Sequence, residues 1–293
     1  MNKTIYALGF FDGVHIGHAA LLEATRRLGR EWGCECGAVT FGLHPQALVR
    51  GEAPALLNTS ADREWLLTKY FSMDRVVTLP FDEEIRTMPW EVFLEMLRKD
   101  YGAAGFVCGE DFRFGYRGEG NAALLEAYCA EEGMPFAAVP EQRMEGIRIS
   151  STHIRRLIEE GRMGEAVRFL GHPHIFTGSV VPGKQLGRRL GIPTANLRLP
   201  EGLVVPKFGV YACRVNLEGK YYTAVTNVGT RPTVEGSGIT VEPWILDYSG
   251  DLYGKRITLE FYDFLRPEEK FADLEALKTA VHADAAAARA LLG

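Results

Sequence analysis

The sequence predicts two domains. An N-terminal α/β domain with a parallel sheet covered on both faces is followed by a C-terminal antiparallel β-barrel with a terminal helix. Three observations carry this. At 293 residues the chain exceeds what one hydrophobic core usually supports. Strand-like and helix-like segments alternate through the first half. After "GHPHIF" the texture changes to successive strands, and a long helical pattern returns only at the end. The expected division is therefore 1–171 and 172–293.

The first strand is Thr4–Gly9, an apolar run, and the first helix is Ala19–Trp32. Strands follow at Cys36–Phe41, Arg75–Leu79, Gly105–Cys108 and Pro135–Val139. Helical patterns at Ser60–Phe71, Trp90–Tyr101 and Ala122–Gly133 separate them. This βα alternation is what a parallel sheet requires, and ligands in such sheets lie beyond the carboxyl ends of the strands. A single helix over Thr152–Phe169 closes the half, and Gly171 and Pro173 end it. The second half offers strands at Ile175–Val181, Gly209–Leu217, Tyr221–Val228, Thr240–Tyr248 and Arg256–Phe264. Leu217-Glu-Gly-Lys220 has hairpin-turn chemistry. A helix over Phe271–Leu292 completes the chain. Short strands in series plus a closing helix fit an antiparallel barrel.

Composition narrows the function. Hydrophobic residues make up 46% and charged residues 24%, ordinary for a globular protein. A net charge of -5 argues against broad nucleic-acid or anionic-membrane binding, though not against a local phosphate pocket. The opening "MNKTIYALGFF" is too short an apolar run for a signal peptide, and no window reaches the roughly 20 apolar residues of a membrane span. A cytoplasmic protein is expected. The five cysteines (34, 36, 108, 129 and 213) form no CxxC pair, so reduced, partly buried thiols are expected rather than disulfides or zinc.

The first chemical signal is Gly9-Phe-Phe-Asp-Gly-Val-His-Ile-Gly-His18, where a strand hands over to a helix. Free N–H groups and the dipole of a helix start favour an anion. His15 and His18 add side-chain donors, and Gly17 permits close approach of a phosphate. Attack at a phosphorus needs donors aimed at developing charge. Taken alone, the motif is as compatible with a turn at Asp12-Gly13 carrying surface histidines. A second signal is Gly146-Ile-Arg-Ile-Ser-Ser-Thr-His-Ile-Arg155. Ser150, Ser151 and Thr152 stand at a helix start with Arg155 one turn in. Plain N-capping explains one hydroxyl but not three with the arginine. A third is Gly109-Glu-Asp-Phe-Arg-Phe-Gly115, which places Asp111 and Arg113 at the carboxyl edge of the sheet.

With Thr40-Phe-Gly-Leu-His-Pro45, these motifs in this order resemble the nucleotidyltransferase domain of bacterial bifunctional riboflavin kinase/FAD synthetases. The resemblance implies a Rossmann-like domain that transfers AMP from ATP to FMN. It implies that His15 and His18 are catalytic, and that Gly9, Phe10, Asp12, Gly17, Ser151, Thr152 and Arg155 bind ATP. Asp111 would lie in the flavin site. The chain departs from the family's TFDPHP at Gly42 and Leu43, which removes a polar contact near the nucleotide.

In the second half, Gly178-Ser-Val-Val-Pro-Gly-Lys-Gln185 nearly matches a phosphate loop, but Gln185 stands where a metal-binding hydroxyl belongs. A better signal begins there: Gly183, Gly187 and Gly191 allow close backbone approach, and Pro193-Thr-Ala-Asn196 offers a hydroxyl and an amide. Any one of these residues alone reads equally as a glycine-rich barrel turn. The run resembles the signature of riboflavin kinases. "FGVYA", "NVGTRPT", "DLYGK" and "EKFADLEAL" extend that resemblance along nearly the whole second half. It implies that Gly183, Gly187, Arg188, Thr194 and Asn196 bind ATP, that Thr194 holds magnesium, and that Glu242 is the base.

Pro243 cannot donate to a sheet ladder, so an edge strand is expected there. Trp244 would stack on a flavin or simply pack. The expected function is phosphorylation of riboflavin to FMN and adenylylation of FMN to FAD, with Mg²⁺ carried by ATP. Two rivals stand beside it: a kinase with a degenerate first domain, and a non-catalytic flavin-binding regulator. Oligomeric state is not legible.

Overall fold

The computed structural model describes residues 3–50, 53–182, 191–233 and 236–293. They form two compact units, Met1–Ala55 with Ser60–Ser151, and Leu56–Thr59 with Thr152–Gly293.

In the first unit the chain runs β1 (Thr4–Leu8), a 3-10 turn (Asp12–Val14), α1 (Ile16–Trp32), β2 (Glu35–Phe41) and α2 (Pro45–Arg50). Then come α3 (Ser60–Trp65) with a π-helical turn (Leu66–Tyr70), β3 (Arg75–Leu79), α4 (Glu83–Thr87), α5 (Trp90–Tyr101) and β4 (Ala103–Gly109). A small hairpin, β5 (Arg113–Phe114) and β6 (Gly120–Asn121), leads to α6 (Ala122–Glu131) and β7 (Phe136–Val139). A second hairpin, β8 (Arg143–Met144) and β9 (Ile147–Arg148), ends the unit.

The main sheet is parallel with order β3-β2-β1-β4-β7. Strand order reverses between β1 and β4, and the crevice beyond their carboxyl ends is where such sheets bind ligands. Alternation along β1 sorts the two faces. Tyr6 and Leu8 join Phe93, Leu94 and Leu97 of α5 and Leu125 of α6. Ile5 packs with Val107 against Leu28 of α1. Gly37 has a packing reason, because a Cβ there would lie 2.5 Å from the Tyr6 ring. Helix ends carry their own signals. Asn121 caps α6 by accepting the Leu124 N–H at 3.1 Å, and Gly102 at φ 72° closes α5.

The second unit begins with two helices where one was expected, α7 (Ser151–Glu160) and α8 (Met163–Leu170), of which Ser151 itself belongs to the first unit. Gly161 at φ 80° breaks the run. Both helices are tied to the barrel: Lys207 N–H donates to Ile158 O at 3.2 Å, and a Cβ on Gly164 would lie 3.0 Å from Asp263. The packing boundary therefore falls ahead of the expected 171/172. The barrel strands are β10 (His174–Ser179), β11 (Leu197–Arg198), β12 (Gly209–Leu217), β13 (Lys220–Thr233), β14 (Gly236–Ile245) and β15 (Arg256–Arg266), and α9 (Leu274–Leu292) closes the chain.

Their order is β10-β15-β12-β13-β14-β11, and Val181 N–H donates to Asn196 O at 2.8 Å where the two ends meet. The barrel is nearly closed. The β12–β13 turn has Glu218 at φ 54° and Gly219 at φ 85°, as a tight hairpin needs.

Pro243 does not mark an edge, because β14 lies between β13 and β11. Its carbonyl accepts from Ala195 N–H at 2.9 Å. The nitrogen and carbonyl of one strand residue face the same side, so the missing donor falls towards Ala195 and costs β13 nothing.

α9 starts at Leu274 because Asp273 caps it, accepting the Ala276 N–H at 2.8 Å. Its small face, Ala285 and Ala288 with Leu292, packs on Val210, Ala212, Val225 and Leu246. Arg266 and Asp284 form a two-pronged ion pair, with contacts at 3.0 and 2.8 Å. All five cysteines are free thiols, and burial pushes Cys108 and Cys129 up to about 12.

Candidate active sites

The loop after β1 is strained. Phe11 has φ 59° and Val14 φ 39°, with Gly13 at 79° between them. Left-handed backbone at a β-branched residue costs on the order of 1–3 kcal/mol, and such strain clusters at functional sites. The loop is held from below. Thr40 Oγ1 donates to Phe10 O at 2.8 Å, and Ser151 Oγ donates to Asp12 O at 2.9 Å.

His15 is the N-cap of α1: its Nδ1 accepts the His18 backbone N–H at 3.3 Å. That bond assigns the proton of the neutral ring to Nε2. The His15 and His18 rings stack with centroids 3.7 Å apart and planes 11° off parallel, and Phe11 meets His18 edge-on at 5.2 Å. A Cβ on Gly17 would lie 3.1 Å from the His15 ring, so glycine lets the imidazole fold back over the helix start. Burial first, then His15 and Arg63, hold His18 well below the ordinary imidazole range. Two stacked imidazoles at a helix N-terminus form a polar cradle suited to an anion.

Four other residues bear on this site. Asp12 is buried. Gly9 follows β1 and donates its N–H to Val39 O at 3.2 Å. Phe10 meets His44 edge-on at 4.6 Å. Asp111, exposed beyond β4, pairs with Arg148 of β9 at 2.7 Å.

Thr152 and Arg155 fall by packing in the second unit, where Arg155 Nη1 donates to Thr152 Oγ1 at 3.5 Å. Sequence reasoning missed Arg63 of α3. It is fully buried, donates through Nη2 to Phe41 O and lies over the Phe10 ring at 4.4 Å. A buried arginine carries no motif, and its only signal was an arginine within an otherwise helical window.

In the barrel, Thr194 bridges Trp244 of β14, and Ala195 bonds Pro243, so Thr194 runs beside the strand that carries Glu242. A cavity of about 470 Å³ opens here, lined by Val180, Pro193, Thr194, Ile245, Tyr248 and Asp251. Asn196 is nearly buried, and its Oδ1 has no hydrogen-bond partner among the described residues. Glu242 is half-buried and pairs in register with Asn227 of β13, whose Nδ2 donates to Glu268 Oε1 at 3.0 Å. Directly opposed residues of an antiparallel pair share a face. Trp244 packs with the cluster under α9 and meets His282 edge-on at 5.7 Å, so packing is the role its contacts describe. Gly183, Gly187 and Arg188 lie outside the described residues.

The FAD synthetase family matches residues 1–153 and the riboflavin kinase family residues 170–292. A bifunctional riboflavin kinase/FMN adenylyltransferase of Pseudomonas fluorescens is 38% identical, over 98% of this chain and 92% of its own length. The protein of the same name from Escherichia coli K12 is 35% identical, over 99% and 93%. A crystal structure from Streptococcus pneumoniae, named as a macrolide-efflux protein, overlays with a TM-score of 0.86 at 29% identity, covering 98% of this chain and 94% of that one. Among the described residues, no helix is long and apolar enough to cross a membrane.

Proposed function

The chain belongs to the bifunctional riboflavin kinase/FMN adenylyltransferase family, which makes FMN from riboflavin and FAD from FMN at the expense of ATP, and we propose which of its residues carry each step. Both families match, so neither the kinase-only reading nor the non-catalytic reading is followed. Adenylyl transfer is assigned to 1–171 and the kinase to 172–293, acting in the cytoplasm without nucleic-acid or membrane partners.

In adenylyl transfer, an FMN phosphate oxygen attacks the α-phosphorus of ATP and pyrophosphate leaves. The stacked pair His15 and His18 supplies neutral donors to charge that grows on the phosphates, with the α1 N-terminus behind them. Gly9, Phe10, Asp12 and Gly17 shape the loop, and Ser151 holds it through Asp12 O. Thr152 and Arg155 are assigned to ATP by resemblance, and Asp111 to the flavin.

In the kinase, the ribityl 5′-hydroxyl attacks the γ-phosphorus, its proton passes to Glu242, and ADP leaves. Asn227 and β13 fix where that carboxylate stands. The cavity beside Thr194 receives the nucleotide.

The residues present fit magnesium. The Thr194 hydroxyl and the buried, unpartnered Oδ1 of Asn196 are the hard oxygen donors it prefers, leaving room for phosphates and water. No cluster of three His, Cys, Asp or Glu side chains competes for it among the described residues. When bound, the ion would neutralise phosphate charge.

The orphaned Asn196 oxygen beside Thr194 is the observation that carries the kinase assignment. The test is chromatographic separation of FMN and FAD after incubation with riboflavin, ATP and Mg²⁺, with and without EDTA. Both products should form, and EDTA should abolish both. Product formation that survives EDTA would remove the metal from the scheme.

A further inference from the structure

We propose that Arg63 is a positioning residue for adenylyl transfer: its buried guanidinium pins the Gly9–Asp12 loop from beneath and presents a fixed positive charge to the His15–His18 pair. The inference rests on the reading that this pair faces the phosphates of ATP.

The geometry is specific. Arg63 is wholly buried, yet it spans several elements of the first unit. One prong, Nη2, donates to the carbonyl of Phe41, the last residue of β2. The guanidinium carbon lies over the Phe10 ring, 4.4 Å from its centroid, in the strained loop after β1. Its charge is near enough to be felt by His18, which it helps to lower, while Asp12 in the loop raises Arg63 in turn. The other two nitrogens, Nε and Nη1, are buried without a hydrogen-bond partner among the described residues. Burying a guanidinium with two uncommitted donors is costly. Burial indeed lowers Arg63 to about 10, partly offset by Asp12. It still carries its charge at neutral pH.

The charge has a chemical use. His18 faces the His15 ring of the α1 cap, the Phe11 ring of the loop and Arg63 of α3, with Asp12 beside Arg63. A fixed cation disfavours a second cation nearby, so it helps to keep the buried His18 imidazole neutral as the pH falls. A neutral His15 keeps its Nδ1 as the acceptor of the His18 N–H. Protonation would turn that nitrogen into a donor and break the cap, opening the cradle. Arg63 thus acts through the histidines and the loop, with no need to touch substrate.

The test compares Arg63→Met, which keeps the bulk, and Arg63→Gln, which keeps a donor for Phe41 O, with Arg63→Lys, which keeps the charge. FMN adenylylation is followed from pH 5.5 to 8.5, and riboflavin phosphorylation by the same preparation reports that the full chain is intact. Histidine ring resonances report the protonation of His18 in the ligand-free protein. Removing a nearby cation makes a neighbouring imidazole easier to protonate. Met and Gln should therefore move the His18 titration upward, and the acid limb of adenylylation with it. Each pH unit of that shift costs about 10-fold in kcat/KM on the acid side of the titration, and the loss should vanish towards pH 8.5. Lys should keep the wild-type limb.

Folded neutral variants with an unmoved His18 titration and a normal rate would overturn the proposal. So would a wild-type His18 that titrates in or above the ordinary imidazole range, a result that needs no variant to fold. His18→Ala separates the underlying reading: if that change leaves adenylylation intact, the phosphate assignment has failed rather than the role of Arg63.

Discussion

The site proposed for the first unit is built from a strained loop and a helix start, the site proposed for the second from side chains on and beside paired strands. In the first, Phe11, Gly13 and Val14 all hold positive φ, and His15 both caps α1 and stacks on His18. Backbone conformation shapes the centre of that site, the ten consecutive residues Gly9–His18, with Thr40, Arg63 and Ser151 holding it from outside. In the second, Glu242 comes from β14 and its neighbour Asn227 from β13, while Thr194 and Asn196 come from the segment before β11. Strand pairing makes that site. The difference suits the chemistry. An FMN phosphate is already an ionised nucleophile, so adenylyl transfer needs donors for growing charge. A sugar hydroxyl must lose a proton, so the kinase needs a placed carboxylate.

The strongest way to break this contrast is Glu242→Gln. The change removes the proton acceptor and nearly keeps the shape. Riboflavin phosphorylation should lose about 10²–10⁴-fold in kcat, the usual worth of a general base, with nucleotide binding little changed. FAD made from supplied FMN should be unaffected. A folded variant with near-normal kinase kcat would sink the assignment and leave Glu242 as a strand carboxylate.

The mirror experiment is His18→Ala. Loss of one preorganised donor typically costs about 10²–10³-fold, here in FAD formation, while FMN formation stays intact. Equal losses in both reactions would mean that the two sites are not separate in the way proposed.

These two variants also separate what was legible in the sequence from what was not. The strand end, turn and helix start of the first site were legible because "GFFDGVHIGH" carries all three in one stretch, and a local motif survives any uncertainty about tertiary pairing. The barrel strands were legible from their texture, but β13 and β14 run beyond the expected Tyr221–Val228 and begin before the expected Thr240. Their extensions pair with each other in register, from Gly229 with Thr240 to Thr233 with Gly236, which no local pattern encodes. Pro243 pointed to an edge strand by a sound rule, but the rule does not say which side of a strand lacks a partner. Arg63 stayed invisible because a buried arginine is defined by what surrounds it. The break at Gly161 could have been read from the glycine itself.

Stability offers a third comparison. The barrel depends on α9, clamped by the two-pronged pair Arg266–Asp284, whose aspartate is buried. Breaking one side of a buried pair costs about 3–5 kcal/mol. Asp284→Ala should therefore lower the midpoint of kinase inactivation by heat, with adenylylation lost at its original temperature. Loss of both activities at one lowered temperature would show that the units melt together.

Acid should weaken each unit through a buried histidine. Burial, aided by His172, lowers His174 to about 3 in the folded barrel. The unfolded chain binds its proton near pH 6.5, so it holds more protons than the folded chain between those values, and stability falls as pH drops through that window. His18 acts with the same sign in the first unit. His174→Phe should flatten the acid dependence of kinase thermal inactivation between about pH 6 and 4, leaving that of adenylylation unchanged. An unaltered slope would mean that another group dominates.

The smallest effect is expected at Gly42, where the sequence departs from the motif that carries its resemblance to the family. Gly42 donates its N–H to Leu79 O at 2.9 Å, and an added Cβ would meet only that carbonyl, at 3.8 Å. Its φ lies outside the left-handed region, so a side chain brings no backbone strain. Phe41 just before it carries the carbonyl that accepts from Arg63, so a carboxylate at 42 would stand near the cradle's buried cation. Gly42→Asp should therefore leave the fold intact and restore a polar contact towards the nucleotide. Adenylylation should rise by about 3- to 10-fold in kcat/KM, the scale of a single partly exposed hydrogen bond, and riboflavin phosphorylation should not change. An unchanged or lower adenylylation rate in a folded Gly42→Asp protein would show that this cradle is already complete, with Arg63 and the stacked histidines supplying all the polarity it uses.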